Sequence, residues 1–294
     1  MSIVALIVLG VVVAIVVVET ALHVAAVRAE RRRADACPFD DPDEHLRSGD
    51  VLVLVASECV LALVALATTP FAWLRARHAG DGGGRLVVVQ APGALAGAAT
   101  PLVRRLRADG HRPLLLAPPW RGVEPTLAWL TVRLAAARHA SGEPLDVVAL
   151  GRAGLYVRAL IARHGRRAGI ARLLTVGTPH GGTEAGRWAP LDWLLACARP
   201  GSSLVATGLD AGALAGVREC LAFASEHDAL VEPPDAAYWP GAFNVRVREL
   251  GHLGLVASPR IYELVRENLL EADAAAPAGA GDAPRPERRR ASPR

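Results

Sequence analysis

The stretch 145–164, LDVVALGRAGLYVRALIARH, places a short apolar strand directly before a helix. Leu145–Leu150 has the composition of a buried strand, and Leu155–His164 carries apolar residues at helical spacing. Only the residues Gly151–Gly154 join the two, so the chain must turn sharply where the strand ends. Glycine adopts the strained backbone angles of such a turn more easily than other residues do. We therefore predict a tight strand-to-helix turn at this point.

The same alternation of strands and helices extends in both directions from this turn. Further strands are predicted at Leu86–Val89, Pro113–Ala117, Ala171–Val176, Cys220–Ala224 and Asn244–Val247, and further helices at Pro101–Asp109, Thr126–His139 and Pro259–Leu270. Such alternation predicts an α/β domain with a mainly parallel sheet covered by helices on both faces. We expect this domain to span 85–271, after a Gly-rich linker at 79–84 and before a disordered tail at 272–294.

Three further stretches of this domain resemble a known family. They are 173–183 (LLTVGTPHGGT), 225–234 (SEHDALVEPP) and 250–255 (LGHLGL). Together with the strand-to-helix turn they are similar to the α/β-hydrolase superfamily, and most of all to bacterial membrane-associated triacylglycerol lipases and esterases. The resemblance covers 85–270 and implies an α/β-hydrolase sheet, a cap over the pocket at about 184–216, and no metal or organic cofactor.

The resemblance implies two of the three catalytic positions of a serine hydrolase. In that family a serine attacks the ester carbonyl, a histidine takes the serine proton, and an aspartate orients the histidine. The chain order is serine, aspartate, histidine. Carried over to this sequence, the aspartate is Asp228, which precedes a Pro-Pro pair, and the histidine is His252, which lies in a Gly-flanked loop.

The nucleophile is where this sequence departs from the family. Aligning the turn on Asp146 and Gly154 puts Gly151 at the serine position, whereas a second register puts Ala153 there. In either register the stretch between Val147 and Val157 contains no Ser, Cys, Thr, Asp or Glu. Covalent acyl transfer needs a hydroxyl, thiol or carboxylate, so the turn is expected to keep its shape without its chemistry.

The predicted oxyanion hole also departs from the family pattern, again by the loss of a catalytic group. In the family a His-Gly pair follows the first strand, and the next residue donates an N–H to the developing oxyanion. Here Val89 is followed by Gln-Ala-Pro-Gly, which puts Pro92 at the donor position. Proline has no N–H to donate. The second donor would be the N–H of Arg152, the residue after Gly151.

The N-terminal region is unusually apolar. Residues 3–18 are apolar without interruption, and no Lys or Arg precedes them, which favours an uncleaved transmembrane anchor at 1–28 over a cleaved signal peptide. The arginines that follow, within a polar loop predicted at 29–50, place the C-terminal end of this helix in the cytoplasm.

A second apolar helix is predicted at 51–78. It contains Glu58, which would be costly in lipid, so a second span, an interfacial helix and a helix packed on the following domain all stay open. We favour two spans. A second span would put the α/β domain outside the cytoplasm, whereas a surface helix would keep it inside, so its side of the membrane stays open.

Composition narrows the classes of partner. The 294 residues are 52% hydrophobic, and the net charge of +4 is mild. We find no basic aromatic stripe of the kind that binds nucleic acid, and the four cysteines are too scattered for a zinc site or a disulfide framework. The predicted partners are the lipid bilayer, in a bacterial inner membrane, and an acyl or lipid ligand or a protein.

Two hypotheses on function follow. The first is a membrane-anchored pseudohydrolase that binds a ligand or partner in the former active site. The second is an active ester or lipid hydrolase in which Asp228 and His252 activate a water molecule or a relocated hydroxyl, such as that of Thr178, Ser202 or Ser203.

Overall fold

The computed structural model describes most of the chain. The described residues are 3–36, 48–78, 84–92, 96–119, 122–187, 196–209, 214 and 216–269. The predicted linker apart from Gly84, the central part of the predicted cap at 188–195 and the predicted tail lie outside them.

Six parallel strands form the sheet of the α/β domain. They are β1 (Leu86–Val89), β2 (Leu114–Leu116), β3 (Leu145–Leu150), β4 (Ile170–Val176), β5 (Glu219–Ser225) and β6 (Phe243–Val247). Their order is β2-β1-β3-β4-β5-β6, and every neighbouring pair is parallel. The six predicted strands are therefore present, with ends that differ by at most one residue. β1 and β3 are buried along their whole length, as strands covered on both faces should be.

Helices cover both faces of this sheet. They are α3 (Thr100–Ala108), α4 (Val123–Ser141), α5 (Ala153–His164), α6 (Ser203–Ala206), α7 (His252–Ala257) and α8 (Pro259–Leu269). Alternate strand residues enter two separate cores: Val147 packs in the core with α4 and α5, and Val148 in the core with α3, α7 and α8. This confirms the predicted fold class, because side chains of a strand point alternately to its two faces.

The two N-terminal helices are α1 (Ile3–Ala36) and α2 (Ser48–His78). Helix α1 runs eight residues beyond the predicted end of the anchor at 28, and α2 begins three residues before 51, so the predicted polar loop at 29–50 was too long. The physical reason is that residues 29–36 are mostly Ala, Glu and Arg, which have high helix propensity although they are polar.

Helix α2 packs on the α/β domain. One face of α2 is buried at helical spacing, at Leu54, Glu58, Ala62, Ala65, Thr69 and Ala72. The Thr69 hydroxyl accepts a hydrogen bond of 3.1 Å from the backbone N–H of Gly97, in the short helical turn Ala96–Ala99 that follows β1. The opposite face exposes large apolar side chains, among them Leu52 and Phe71. One face of helix α2 therefore packs on the α/β domain, and the opposite face is exposed and suits an apolar environment.

Two stretches are long and apolar enough to cross a bilayer. They are Gly10–Arg28, with a mean hydropathy of 2.3, and Gly49–Leu74, with a mean hydropathy of 2.5. A signal sequence and a core helix of a soluble protein meet the same criterion, so length and composition establish no more than this capacity.

Candidate active site

Hydrogen bonds to both the N–H and the carbonyl of Gly151 fix the strand-to-helix turn after β3. The N–H of Gly151 donates to the carbonyl of Val176 at 2.8 Å, and the Thr178 hydroxyl donates to the carbonyl of Gly151 at 2.7 Å. Gly151 has a φ of +56°, a left-handed conformation that favours glycine. A Cβ atom built on Gly151 would lie 3.2 Å from Nε2 of His252. A side chain at this position would therefore point at the imidazole.

Asp228 and His252 form a hydrogen-bonded pair. The His252 Nδ1 lies 2.8 Å from Oδ2 of Asp228, and the other carboxylate oxygen accepts from the N–H of Leu230 at 2.9 Å. Asp228 is buried, whereas His252 is partly exposed. This arrangement orients the imidazole so that Nε2 faces the turn at Gly151, as a general base needs to face its nucleophile.

The loops that carry the pair are joined to each other. The Ser225 hydroxyl, at the end of β5, donates to the carbonyl of Leu250, and the N–H of Glu249 donates to Nδ1 of His227 at 2.8 Å. Because Leu250 and Glu249 immediately precede the Gly251-His252 pair, these bonds hold the histidine loop beside the acid loop.

A cavity of about 340 Å³ lies beside His252. Gly151, His252 and Arg152 line it, and Ala153 is not among its lining residues. Ala153 is instead the first residue of α5 and is fully buried in the core. The register that places Gly151 at the nucleophile position is thus the one that faces the cavity.

The two predicted oxyanion-hole positions are neighbours in space. The guanidinium of Arg152 donates to the carbonyl of Pro92 at 2.8 Å, and both residues are buried. Pro92 follows β1 and brings no N–H to the site. The second predicted donor, the backbone N–H of Arg152, lies at the N-terminus of α5.

Solved structures show the same arrangement of strands and helices. A lipase of Bacillus licheniformis, BlEst2, is similar with a TM-score of 0.52 over 64% of this chain and 93% of that one, at 14% identity. Lipase B of Aspergillus fumigatus is similar with a TM-score of 0.50 at 14% identity, over 65% of this chain and 53% of that one. The chain has the α/β-hydrolase fold. No protein-family model and no curated protein sequence matches it.

In this hydrolase fold, a carboxylate from the N-terminal region binds the histidine loop. The Glu58 carboxylate, on α2, accepts from the N–H groups of Leu253 and Gly254 at 2.8 and 2.7 Å, and Glu58 is only 2% exposed. These N–H groups are in the first turn of α7, which has no side-chain cap of its own. A Cβ atom on Gly251 would lie 2.4 Å from the Glu58 carboxyl carbon, so the contact also requires a glycine there. Glu58 thus acts as the cap of the helix that begins with His252.

We expect the Glu58→Leu variant to be less stable than the wild type by about 2–4 kcal/mol. Two partly buried N–H donors in the first turn of α7 lose their acceptor. Glu58→Gln keeps one acceptor oxygen and should lose less. The free energy of unfolding of the full chain in detergent measures both, and Glu267→Leu, an exposed site on α8, is the control. Equal stability of Glu58→Leu and the wild type would contradict the capping role.

The electrostatic environment of His252 favours its charged form. Burial is the largest single influence and opposes protonation, but the Asp228 carboxylate, its hydrogen bond and the nearby Glu58 and Glu19 together outweigh burial, so the pKa of His252 is raised. At neutral pH this imidazole is therefore more often protonated than an ordinary histidine.

A raised pKa in the folded state makes the contribution of His252 to stability depend on pH. This contribution should be fully present below the pKa of unfolded histidine, about 6.5, and should be lost as the pH rises through the raised pKa of the folded state. We expect the difference in unfolding free energy between wild type and His252→Gln to shrink across that window. Chemical unfolding at a series of pH values measures it, and a difference that grows with pH would contradict the assignment.

Sequence reasoning did not place three residues at this site. Glu19 and His23 of α1 and Glu58 of α2 line the cavity together with His252. The available signal was their position, since ionisable residues within an apolar, membrane-length helix usually face a protein interior or a polar cavity. From the sequence, Glu58 is notable only as a residue that would be costly in lipid, because no local sequence pattern shows which loop it contacts.

Proposed function

We propose that this protein is a membrane-anchored pseudohydrolase, which binds a ligand or a partner in the cavity of an α/β-hydrolase fold and turns over esters poorly or not at all. The observation that carries the proposal is Gly151. Its position faces Nε2 of His252, beside an intact Asp228–His252 pair, and it supplies no nucleophile.

The contacts of the alternative hydroxyls support the same conclusion. Among the described residues that line the cavity there is no Ser, Thr or Cys. Thr178 is buried and donates to the Gly151 carbonyl, and Ser202 caps α6 by accepting from the N–H of Val205. Ser203 is exposed. Each of the three hydroxyls suggested as a relocated nucleophile thus has a structural or surface position.

Membrane anchoring rests on the N-terminal helices. The faces of α1 and α2 that do not contact protein expose apolar side chains such as Val13, Val17, Leu52 and Phe71. Exposed apolar side chains in this number are costly in water and suit the hydrocarbon interior of a bilayer. We propose a bacterial inner membrane as its location and the bilayer as its first partner.

A second candidate function is direct hydrolysis by water. His252 Nε2 faces the space that a serine side chain would occupy, and a water molecule there could lose its proton to the imidazole. The raised pKa of His252 opposes this at neutral pH, because a protonated imidazole accepts no proton. Such activity should therefore increase with pH.

Ester hydrolysis by the full chain in detergent decides between the two. The full chain is needed because Glu58 of α2 binds the histidine loop. Wild type and His252→Ala are compared on p-nitrophenyl butyrate and octanoate from pH 6 to 9. Equal, background rates support the pseudohydrolase. Wild-type turnover that disappears in His252→Ala and rises with pH would overturn it in favour of the water mechanism.

A further inference from the structure

The N-terminal helices contribute a polar wall to the cavity. Glu19 and His23 lie one helical turn apart on α1, and Glu58 faces them from α2. These helices precede the first strand, so the wall is an addition to the α/β domain. Ionisable groups placed inside apolar helices are costly, which makes a binding role for them the first hypothesis.

The hydrogen bond of His23 determines which of its ring nitrogens can accept a further hydrogen bond. Its Nδ1 lies 2.8 Å from the backbone carbonyl of Glu19, and because a carbonyl only accepts, Nδ1 must carry the hydrogen. In the neutral ring Nε2 is then an acceptor. His23 is 4% exposed, and its Nε2 has no hydrogen-bond partner among the described residues. Buried polar atoms are nearly always satisfied, so this atom calls for a donor from a ligand.

The carboxyl groups of the wall also call for a hydrogen-bond donor. Glu19 and Glu58 bring two carboxylates, which accept hydrogen bonds and donate none when ionised. Glu58 already accepts two backbone N–H groups, and a carboxylate oxygen can accept a further hydrogen bond. Across the cavity His252 is bound to Asp228, and the guanidinium of Arg152 to the Pro92 carbonyl. The wall of α1 and α2 therefore consists of acceptors, and two of them are carboxyl groups whose ionised form a cation would stabilise.

The rest of the cavity is apolar and small. Its apolar lining includes Ala62, Leu150, Leu230, Val231, Leu253 and Val256. The volume of about 340 Å³ is near the lower end of the range for small-molecule sites, roughly 300–1,000 Å³. Such a cavity suits a short aliphatic chain attached to a cationic donor group.

We propose that the cavity binds an alkylammonium ligand, whose N–H groups donate to Glu19, Glu58 and Nε2 of His23 while its chain contacts the apolar lining. This deepens the proposed function and rests on its claim that the cavity binds a ligand. An ammonium group can donate to all three acceptors and would stabilise the ionised form of the two carboxyl groups, whereas a carboxylate has no hydrogen to donate to them.

Calorimetric titration of the full chain in detergent with hexylammonium, hexanol and hexanoate at pH 7 tests the ligand class. The three probes share one chain length and differ in the head group. We expect hexylammonium to bind at least about tenfold more tightly than hexanol, because a hydrogen bond to a charged group is worth roughly a tenfold to hundredfold change in affinity. Hexanoate should bind most weakly. Equal or tighter binding of hexanol or hexanoate would overturn the proposal, as would no binding of any probe.

Two variants locate the binding site. Glu19→Gln should weaken hexylammonium binding by roughly tenfold to a hundredfold and leave hexanol binding almost unchanged. His23→Leu should weaken it several-fold. Glu267→Gln, which removes an exposed carboxylate on α8, is the matched control and should not change it. Hexylammonium binding that is unaffected by Glu19→Gln would place the amine elsewhere and overturn the assignment.

The two proposals fail separately. Ester turnover that depends on His252 would overturn the pseudohydrolase and leave the hexylammonium result as evidence for an amine subsite in an active enzyme. Background turnover together with no preference for hexylammonium would overturn only the ligand class.

Discussion

The Gly151→Ser variant is expected to hydrolyse p-nitrophenyl butyrate about a thousandfold faster than the wild type. A complete Ser-His-Asp triad accounts for roughly a millionfold of the rate in a serine hydrolase, and loss of one oxyanion-hole donor removes roughly a hundredfold to a thousandfold. The Asp228–His252 pair is in place, and the new side chain would point at Nε2 of His252. The gain is therefore the triad contribution reduced by the missing N–H at Pro92.

The geometry of the turn limits this gain. The φ of +56° at Gly151 is strained for serine, at a cost of about 1–3 kcal/mol, and the Cβ at 3.2 Å from Nε2 requires a small shift of the imidazole. Stability of the variant is thus measured beside its activity.

Two controls make the result specific. Gly151→Ser combined with His252→Ala should return to the wild-type rate, and Gly151→Ala should show no gain, because it adds the Cβ without a hydroxyl. A folded Gly151→Ser variant without activity would show that the pair cannot activate a serine at this position. In that case Gly151→Ser with Pro92→Ala tests the oxyanion hole, and we expect about a hundredfold more activity from the restored N–H.

The Arg158→Leu variant is expected to lose about 3–5 kcal/mol of stability. Arg158, on α5, is fully buried and donates to the carbonyls of His180, Leu204, Val205 and Thr207. Without the guanidinium these buried acceptors lose their donor, and the cavity left by the side chain adds to the cost. Burial lowers the pKa of Arg158 to about 10, so it remains charged near neutrality.

The matched control for Arg158 lies on the same helix. Arg163 is exposed and pairs with the exposed Glu124, an interaction that solvent screens. Chemical unfolding of Arg158→Leu, Arg163→Leu and wild type should therefore show a large loss for the first and little change for the second. Similar losses in both variants would contradict the assignment of the stability to the buried network.

The buried network also separates a structural histidine from the candidate catalytic one. His180 stacks on Trp239 with ring centroids 4.7 Å apart, and its Nε2 lies 3.0 Å from the Thr175 hydroxyl. Burial, with the charge of Arg158, lowers the pKa of His180 well below its usual value, so this ring is neutral. His252 instead faces a carboxylate and a cavity, and its pKa is raised.

The sequence by itself determined the fold class and the elements that build it. Strands such as Leu86–Val89 are apolar along their whole length, and the apolar residues of the helices recur at helical spacing, so both kinds of element are visible in the local sequence. The resemblance to α/β-hydrolases, through the order of the motifs, also led to Gly151, Asp228 and His252. Gly151 and His252 line one cavity, and Asp228 is hydrogen-bonded to His252. What motif order left open was the choice between Gly151 and Ala153, which depends on which residue faces that cavity.

Only the tertiary structure decided what the N-terminal helices contact. Glu58 lies 195 residues before Leu253, whose N–H it binds, and no local pattern reports a contact of that range. The same holds for His23, whose Nε2 has no hydrogen-bond partner among the described residues, a fact that becomes evident only when α1 forms one side of the cavity. Periodicity reports the burial of a helix face, whereas the partner of a buried polar atom depends on how distant elements pack together.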